Sequence, residues 1–151
     1  MRNLFNSTDL QTTIDRINQL TPDSKPGWGK MNVAQMLAHV NVAYEMAHED
    51  IHPKANFFMR FMLKTFVKPT VCGPKPYPKN GRTAPQFVMT EKTKDFEQEK
   101  KRLVAYLQKS YDLGTTHFEG LESPSFGALT ATEWNVLFAK HLDHHLTQFG
   151  V

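Results

Sequence analysis

The sequence predicts an all-α fold. Three observations carry that prediction. Thr8 to Gln11, Asn32 to Gln35 and Thr130 to Glu133 have the form of capping boxes, in which a side-chain oxygen and a Glu or Gln three residues on satisfy each other's free backbone N–H groups. Behind each of them, apolar residues recur at three- and four-residue spacing. No segment alternates apolar and polar residues at the period of a half-buried strand. With 151 residues, 40% of them hydrophobic and 22% charged, the chain has the size and composition of one globular domain spanning 1–151.

The first helix covers residues 8–20, with Leu10, Ile14 and Ile17 on one face, and Thr21-Pro22-Asp23-Ser24 ends it ahead of Pro26-Gly27. The second covers 32–49, with Val33, Met36, Leu37, Val40, Tyr44 and Ala47 as its apolar stripe. Residues 54–67 then bring Phe57, Phe58, Phe61 and Phe66 together with Arg60 and Lys64. That segment is too short and too charged to span a bilayer, and it reads as a core-covering helix in preference to one lying on a membrane surface. Residues 68–90 hold Pro69, Pro74, Pro76, Pro78 and Pro85, which predicts an irregular loop without helix, serving as a lid or as a plain crossover. A third long helix covers 92–113 through Phe96, Leu103, Val104, Leu107 and Tyr111, closed by Gly114, and the last covers 130–149. Trp28-Gly29-Lys30-Met31-Asn32 and Phe126-Gly127-Ala128-Leu129-Thr130 share the order aromatic, glycine, any residue, apolar, cap. Recurring capping and staple chemistry explains this echo better than a duplication does.

Composition excludes several classes of function. A lone Cys72 rules out an internal disulfide and a multi-cysteine zinc site, and a bystander thiol is the expectation for it. The net charge of +3 comes from 18 Lys and Arg scattered among 15 acids, and Lys100-Lys101-Arg102 follows Glu97 and Glu99. This reads as a solvated helix face with ion pairs, so no nucleic acid partner is expected. Met1 to Ser7 turns polar too early for a secretory leader, which predicts a cytoplasmic protein with no membrane partner.

The stretch richest in chemistry is His141-Leu142-Asp143-His144-His145. A helix advances about 100° per residue, so the i, i+4 pair lies about 40° apart. Trp134, Leu137 and Phe138 share its side, while Lys140, Asp143 and Thr147 are expected to point elsewhere. Two imidazoles on a core face need partners. A shared metal satisfies both, and hydrogen bonds to carbonyls or waters would do as well. His39, at the edge of the second helix's apolar arc, is the best-placed third ligand. His48 and His52, beside Glu49, Asp50 and Pro53, read as a solvated pair. His117 has no assignable place, and His144 reads as a boundary residue. Leu142 stands where a zinc protease carries its general-base Glu, and there is no Gly-rich phosphate loop, nucleophile elbow or di-iron Glu-x-x-His pair.

The chain resembles the DinB/YfiT-like proteins, and within them a branch of unknown function. The resemblance rests on Trp28 to Asn32 with Gln35 to Val40, on Phe126-Gly127 and Thr130 to Trp134, and on Lys140 to His145 followed by Gln148-Phe149-Gly150. It covers nearly the whole chain. It implies a four-helix bundle built from 8–20, 32–49, 92–113 and 130–149, with the Phe-rich helix and Pro-rich loop as an insertion. It also implies a metal site made of His39, His141 and His145. Members with assigned activities are divalent-metal enzymes acting on low-molecular-weight thiols, as S-transferases or an isomerase, and others are described as hydrolases. Leu146-Thr147 depart from the usual Arg-Gly after the His pair, though Gln148 is kept.

The resulting expectation is a divalent-metal-dependent enzyme, S-transferase-like or hydrolytic, that activates a thiol or water for a small-molecule substrate. Zinc or nickel leads as the metal, with iron or manganese behind. His144, Trp134 and Gln148 would shape the site, and the 68–90 loop could cover it. The alternative is a non-catalytic bundle that binds metal or a small ligand. The Phe-rich helix offers apolar surface for a homodimer.

Overall fold

In the computed structural model, which describes residues 1–81, 83–91 and 93–151, the order of elements is helical with one short hairpin. Helices α1 (Ser7–Asn18), α2 (Val33–His48), α5 (Phe96–Phe118) and α6 (Ala131–Gln148) are the long ones. Between α2 and α5 run α3 (Phe57–Met62), a π-helical turn at Leu63–Val67, α4 (Lys68–Val71) and a 3-10 turn at Pro85–Phe87. Strands β1 (Glu122–Ser123) and β2 (Gly127–Ala128) pair antiparallel, Glu122 opposite Ala128, just ahead of α6. The described residues are therefore mostly helical, as the patterning predicts.

Two of the three capping boxes form as expected, at Asn32 with Gln35 and at Thr130 with Glu133. The third does not. Asn6 caps α1 by accepting from the Thr8 and Asp9 amides, so Thr8 lies inside the helix. Asn outranks most residues at this position, and it stands two residues ahead of the Thr. The sequence echo has a backbone cause. Gly29 and Gly127 both adopt left-handed φ, at 83° and 75°, which turns the chain just before each cap at little steric cost.

Helix α2 is the central element. Its buried positions include Ala34, Ala38, Val42 and Ala43 besides the expected stripe, and a helix buried nearly all round is one packed on several sides. It contacts both α5 and α6. Around it, Leu10, Ile17, Met36, Leu37, Val40, Tyr44, Leu103, Leu107, Trp134, Phe138 and Leu146 form a single core. Tyr44 stacks on Phe138 at 4.4 Å between ring centroids. Polar fasteners close the ends. Lys100 donates to the Asn18 and Leu20 carbonyls at 3.3 and 3.2 Å, placing a cation at the carboxyl end of α1. Arg16 pairs with Asp143 of α6 at 2.7 Å.

Several boundaries differ from the sequence expectation. The proposed start of the third long helix at Lys92 lies outside the described residues, and α5 begins at Phe96, capped by Asp95. Gly114 breaks the regular helix where expected, with φ 68° and ψ 176°, but the chain resumes in one further turn that carries His117 and Phe118. The 68–90 segment is not helix-free. Pro69 sits in the first turn of α4, where a missing N–H costs nothing, and Pro85 opens the 3-10 turn.

The largest correction concerns the Phe-rich segment. It does not cover the core: Phe57, Phe58, Phe61 and Phe66 are all exposed, and only Leu63 and Val71 pack partly against the core cluster. The segment is held through its polar side instead, by Lys68–Glu133 at 2.7 Å and Arg60–Glu122 at 3.4 Å. Its carboxyl end meets Lys140. That residue was expected to point away, yet its Nζ is buried and donates to the carbonyls of Thr70, Gly73 and Lys75 at 2.6, 2.5 and 3.1 Å. The ammonium thereby satisfies the Thr70 carbonyl in the last turn of α4 and two carbonyls of the chain that follows it.

Candidate metal centre

His39, on the second turn of α2 and facing α6, is buried, as is His145; His141, one turn before His145 on α6, is half-buried. The packing of α2 on α6 brings the rings edge to face, with centroid separations of 4.9 Å for His39–His141, 4.7 Å for His39–His145 and 4.9 Å for His141–His145. One ring nitrogen from each lies within 4.8 Å of the other two. The expected constellation of three residues on two helices is thus assembled.

Tautomers follow from the partners. His39 Nδ1 lies 2.8 Å from the Phe87 carbonyl. A carbonyl only accepts, so Nδ1 carries the hydrogen and Nε2 keeps its lone pair. His145 Nδ1 lies 2.7 Å from Gln148 Oε1, and Gln148 Nε2 donates to the Trp28 carbonyl at 2.5 Å. That second bond fixes which end of the amide faces the imidazole, leaving His145 Nε2 as the free base. Nitrogen Nε2 of His39 is 2.9 Å from Nε2 of His141. With the His39 nitrogen accepting, the hydrogen between them belongs to His141.

Electrostatics keeps all three rings neutral. Desolvation is the leading cause at each. It lowers His39 against the opposing Phe87 hydrogen bond. His141 falls well below its ordinary value, with the neighbouring His39, His145 and His144 adding to the effect. His145 is pushed down to about 3 by desolvation and then by His39. Neutral imidazoles whose nitrogens converge, with Nε2 of His39 and His145 free and His141 needing only a shift of tautomer, match what a metal ion requires of a histidine site.

The surrounding shell comes largely from the segment between α2 and α5 and from the turn before α2. Phe87 packs its ring on His39 and His141 at 5.5 and 5.6 Å. Tyr77 stands edge-on to His141 and His144 at 6.2 and 5.8 Å. Trp28 meets His144 at 5.7 Å and carries Lys79 over its face at 4.4 Å. The Trp28 indole Nε1 is a buried donor with no partner among the described residues. The Gly27 amide donates to the Gln148 carbonyl at 2.7 Å. At Gly29 a Cβ would come within 2.7 Å of Gln148 Nε2, so the glycine makes room for the amide that orients His145.

The profile of a family described as "protein of unknown function (DUF1569)" matches residues 2–150. The chain belongs to the DUF1569 family. No curated protein and no solved structure matches it.

Of the residues named from sequence, this DUF1569 chain brings His39, His141, His145, His144 and Gln148 to one place. Trp134 stands apart, in the core against Phe118 and Phe138, donating from its indole to the Leu121 carbonyl at 3.3 Å. Cys72 is half-buried, with its thiol pushed up to about 11 mainly by desolvation, and is unsuited to act as a nucleophile at neutral pH. His48 and His52 are not a solvated pair. His48 bonds Ser110 Oγ at 2.8 Å and stacks on Tyr106, and His52 bonds Glu45 at 2.9 Å. The Phe87 carbonyl and Tyr77 escaped the sequence reading, because a backbone acceptor in an irregular loop has no sequence signature.

Proposed function

We propose that this protein is a divalent-metal-dependent enzyme whose His39, His141 and His145 hold the ion. One observation carries this reading: three neutral imidazoles converge their nitrogens within 4.8 Å, and two of them are fixed in the ligating tautomer by Phe87 and Gln148. Second partners of this kind are usual for ligating histidines. With the DinB/YfiT resemblance, the four long helices are read as that family's four-helix bundle, with residues from α3 to the 3-10 turn as the insertion.

Three protein ligands leave coordination positions open, which is the catalytic pattern, whereas structural zinc is generally closed by four. A divalent ion bound there supplies Lewis acidity that makes a thiol or water nucleophilic at neutral pH. The chain's own residues do the rest. Phe87 and Tyr77 wall the site and exclude water, Gln148 holds His145, and the Trp28 indole N–H is a spare donor for a substrate atom. A low-molecular-weight thiol transferred to a small electrophile is the first reaction to test, with hydrolysis next. Zinc and nickel suit three imidazoles best, ahead of iron and manganese.

The test is elemental analysis of untagged protein beside His39→Ala and His141→Ala, followed by a thiol and electrophile screen before and after chelation. Near-stoichiometric metal lost in both variants, with turnover lost on chelation, is the expected result. Absence of metal after incubation with zinc, nickel, iron and manganese would refute the reading. A non-catalytic ion fastening α2 to α6 is the second reading, favoured by the close covering of the rings by Phe87. It predicts that His145→Ala lowers the melting temperature sharply, where a catalytic ion predicts lost activity with modest change in stability.

A further inference from the structure

The second region that calls for an explanation is the exposed helical segment 57–71. Phe57, Phe58, Phe61 and Phe66 are 89%, 71%, 59% and 67% exposed, with Met59 and Met62 beside them at 49% and 36%. A phenylalanine side chain presents about 150–250 Å², so the four rings at these exposures leave roughly 430–700 Å² of aromatic surface in water, at the upper end of a monomer's largest apolar patch. The π-helical turn at Leu63–Val67 holds more residues per turn than α geometry. That rotates Phe66 back toward the row formed by Phe58 and Phe61. Arg60 and Lys68, by contrast, turn toward the body of the protein and pair with Glu122 and Glu133.

Charge says what covers the patch. Residues 51–90 contain seven of the chain's 18 Lys and Arg and none of its 15 Asp and Glu. The rest of the protein, with eleven basic and fifteen acidic residues, is net acidic. Lys54 and Lys64, which flank the phenylalanines, are exposed and form no ion pair among the described residues, although Lys64 stands near enough to Glu133 to help hold its carboxyl down. A second copy of the chain would bring two such basic segments together. The phenylalanines also offer less than the ~800 Å² per partner of a standard interface. An apolar face bordered by lysines suits a bilayer surface, where rings enter the boundary between headgroups and acyl chains and lysines meet anionic lipid. No helix among the described residues is long and apolar enough to cross a membrane.

We propose that the 57–67 helical segment is a membrane-surface anchor that seats Phe57, Phe58, Phe61 and Phe66 in a bilayer carrying anionic headgroups. The association is reversible and weakens with salt, since lysines supply part of it and the helix is short. It stands independently of the histidine site and holds whether or not that site binds metal.

The experiment is flotation of the full chain with vesicles of phosphatidylcholine alone and with phosphatidylcholine containing about a third phosphatidylserine, at low and physiological salt. The expected result is binding to the serine-containing vesicles only, at least about tenfold weaker at the higher salt. In the triple variant Phe57→Ser, Phe58→Ser, Phe61→Ser the affinity falls about a hundredfold, while its melting temperature stays at the wild-type value because these rings lie outside the core. Lys54→Glu with Lys64→Glu weakens binding about tenfold or more and flattens the salt dependence. No flotation with either vesicle, or equal flotation with both that ignores the Phe substitutions, would overturn the proposal. So would a wild-type dimer in analytical ultracentrifugation that the triple variant abolishes without any vesicle binding, which would assign the patch to a second copy.

Discussion

Helix α2 carries two buried polar clusters, one at each end, and they are built on opposite principles. Toward its amino end, His39 meets His141 and His145 in a group of neutral imidazoles whose nitrogens converge. Toward its carboxyl end, Glu45 is bonded by Arg102 and by His52, Arg102 also pairs with Glu99 at 2.9 Å, Glu99 accepts from Asn41 at 2.8 Å, and Tyr106 donates to Glu49. In the second cluster each acid has a donor and the cation has two acids, and the buried Asn41 Oδ1 alone lacks a partner among the described residues. In the first, one hydrogen serves two facing nitrogens and no acid is present. The difference separates a group whose charges pair within the chain and fasten helices from a group of uncharged bases with spare lone pairs, placed closely enough to take up a cation.

The largest effect expected from breaking this contrast is on metal content. His141→Ala should drop bound metal from near one equivalent to background, while Arg102→Met leaves it unchanged, as read by elemental analysis of both purified proteins. If both variants lost metal equally, the two clusters would not be functionally distinct.

Stability should show the reverse order. Arg102→Met removes the cation shared by Glu45 and Glu99, whose side chains are 11% and 9% exposed, and leaves them only His52 and Asn41. Breaking a fully buried pair costs roughly 3–5 kcal/mol, but the Arg102 side chain is itself 35% exposed, so a loss of about 2 kcal/mol in urea unfolding is expected. His141→Ala in metal-free protein should cost less than that, since it removes one neutral ring from a crowded group.

A finer test acts on the shell around the histidines. In Gly29→Ala the new Cβ would displace Gln148 and release His145, in addition to straining a left-handed backbone position. Gln148→Leu removes the acceptor outright. Metal affinity should fall about 10- to 100-fold in each, measured by competition with a chromophoric chelator, with the fold retained by circular dichroism in Gln148→Leu.

The smallest effect is on the pH dependence of the metal-free protein. His145 has its pKa lowered from 6.5 to about 3 and His48 from 6.5 to about 4, both chiefly by desolvation. Below about pH 6.5 the unfolded chain takes up protons that the folded chain refuses, so unfolding free energy falls with pH until the folded values are reached. Above pH 7 these two groups contribute no slope. Urea midpoints should therefore decline from pH 7 to pH 5, and His48→Gln should make that decline shallower.

Much of this was legible in sequence for local reasons. Caps at Asn32 and Thr130, the apolar period of α6 and the i, i+4 spacing of His141 and His145 are short-range facts, since helix geometry fixes which side chains share a face. His39 could be named because it lies at the margin of an apolar arc. Gln148 could be named through the DinB/YfiT resemblance, in which it is kept after the His pair. Trp134 satisfied the same facial rule and yet stands in the core, because a shared face spans more than one environment along an 18-residue helix.

What only the tertiary structure decided depends on partners distant in sequence. That the Phe-rich segment faces solvent follows from where Glu122 and Glu133 pull its basic side, and periodicity within the segment carries no record of that. That Lys140 is buried depends on three carbonyls of a passing loop, and that His48 and His52 are sheltered depends on Ser110 and Glu45. By itself the sequence determined the four long helices, the caps at Asn32 and Thr130 and the histidine spacing, because each is set by interactions within a few residues. The meeting of His39 with His141 across 102 positions, closed by the carbonyl of Phe87, was decided by packing, since burial and backbone hydrogen bonding are properties of the assembled chain.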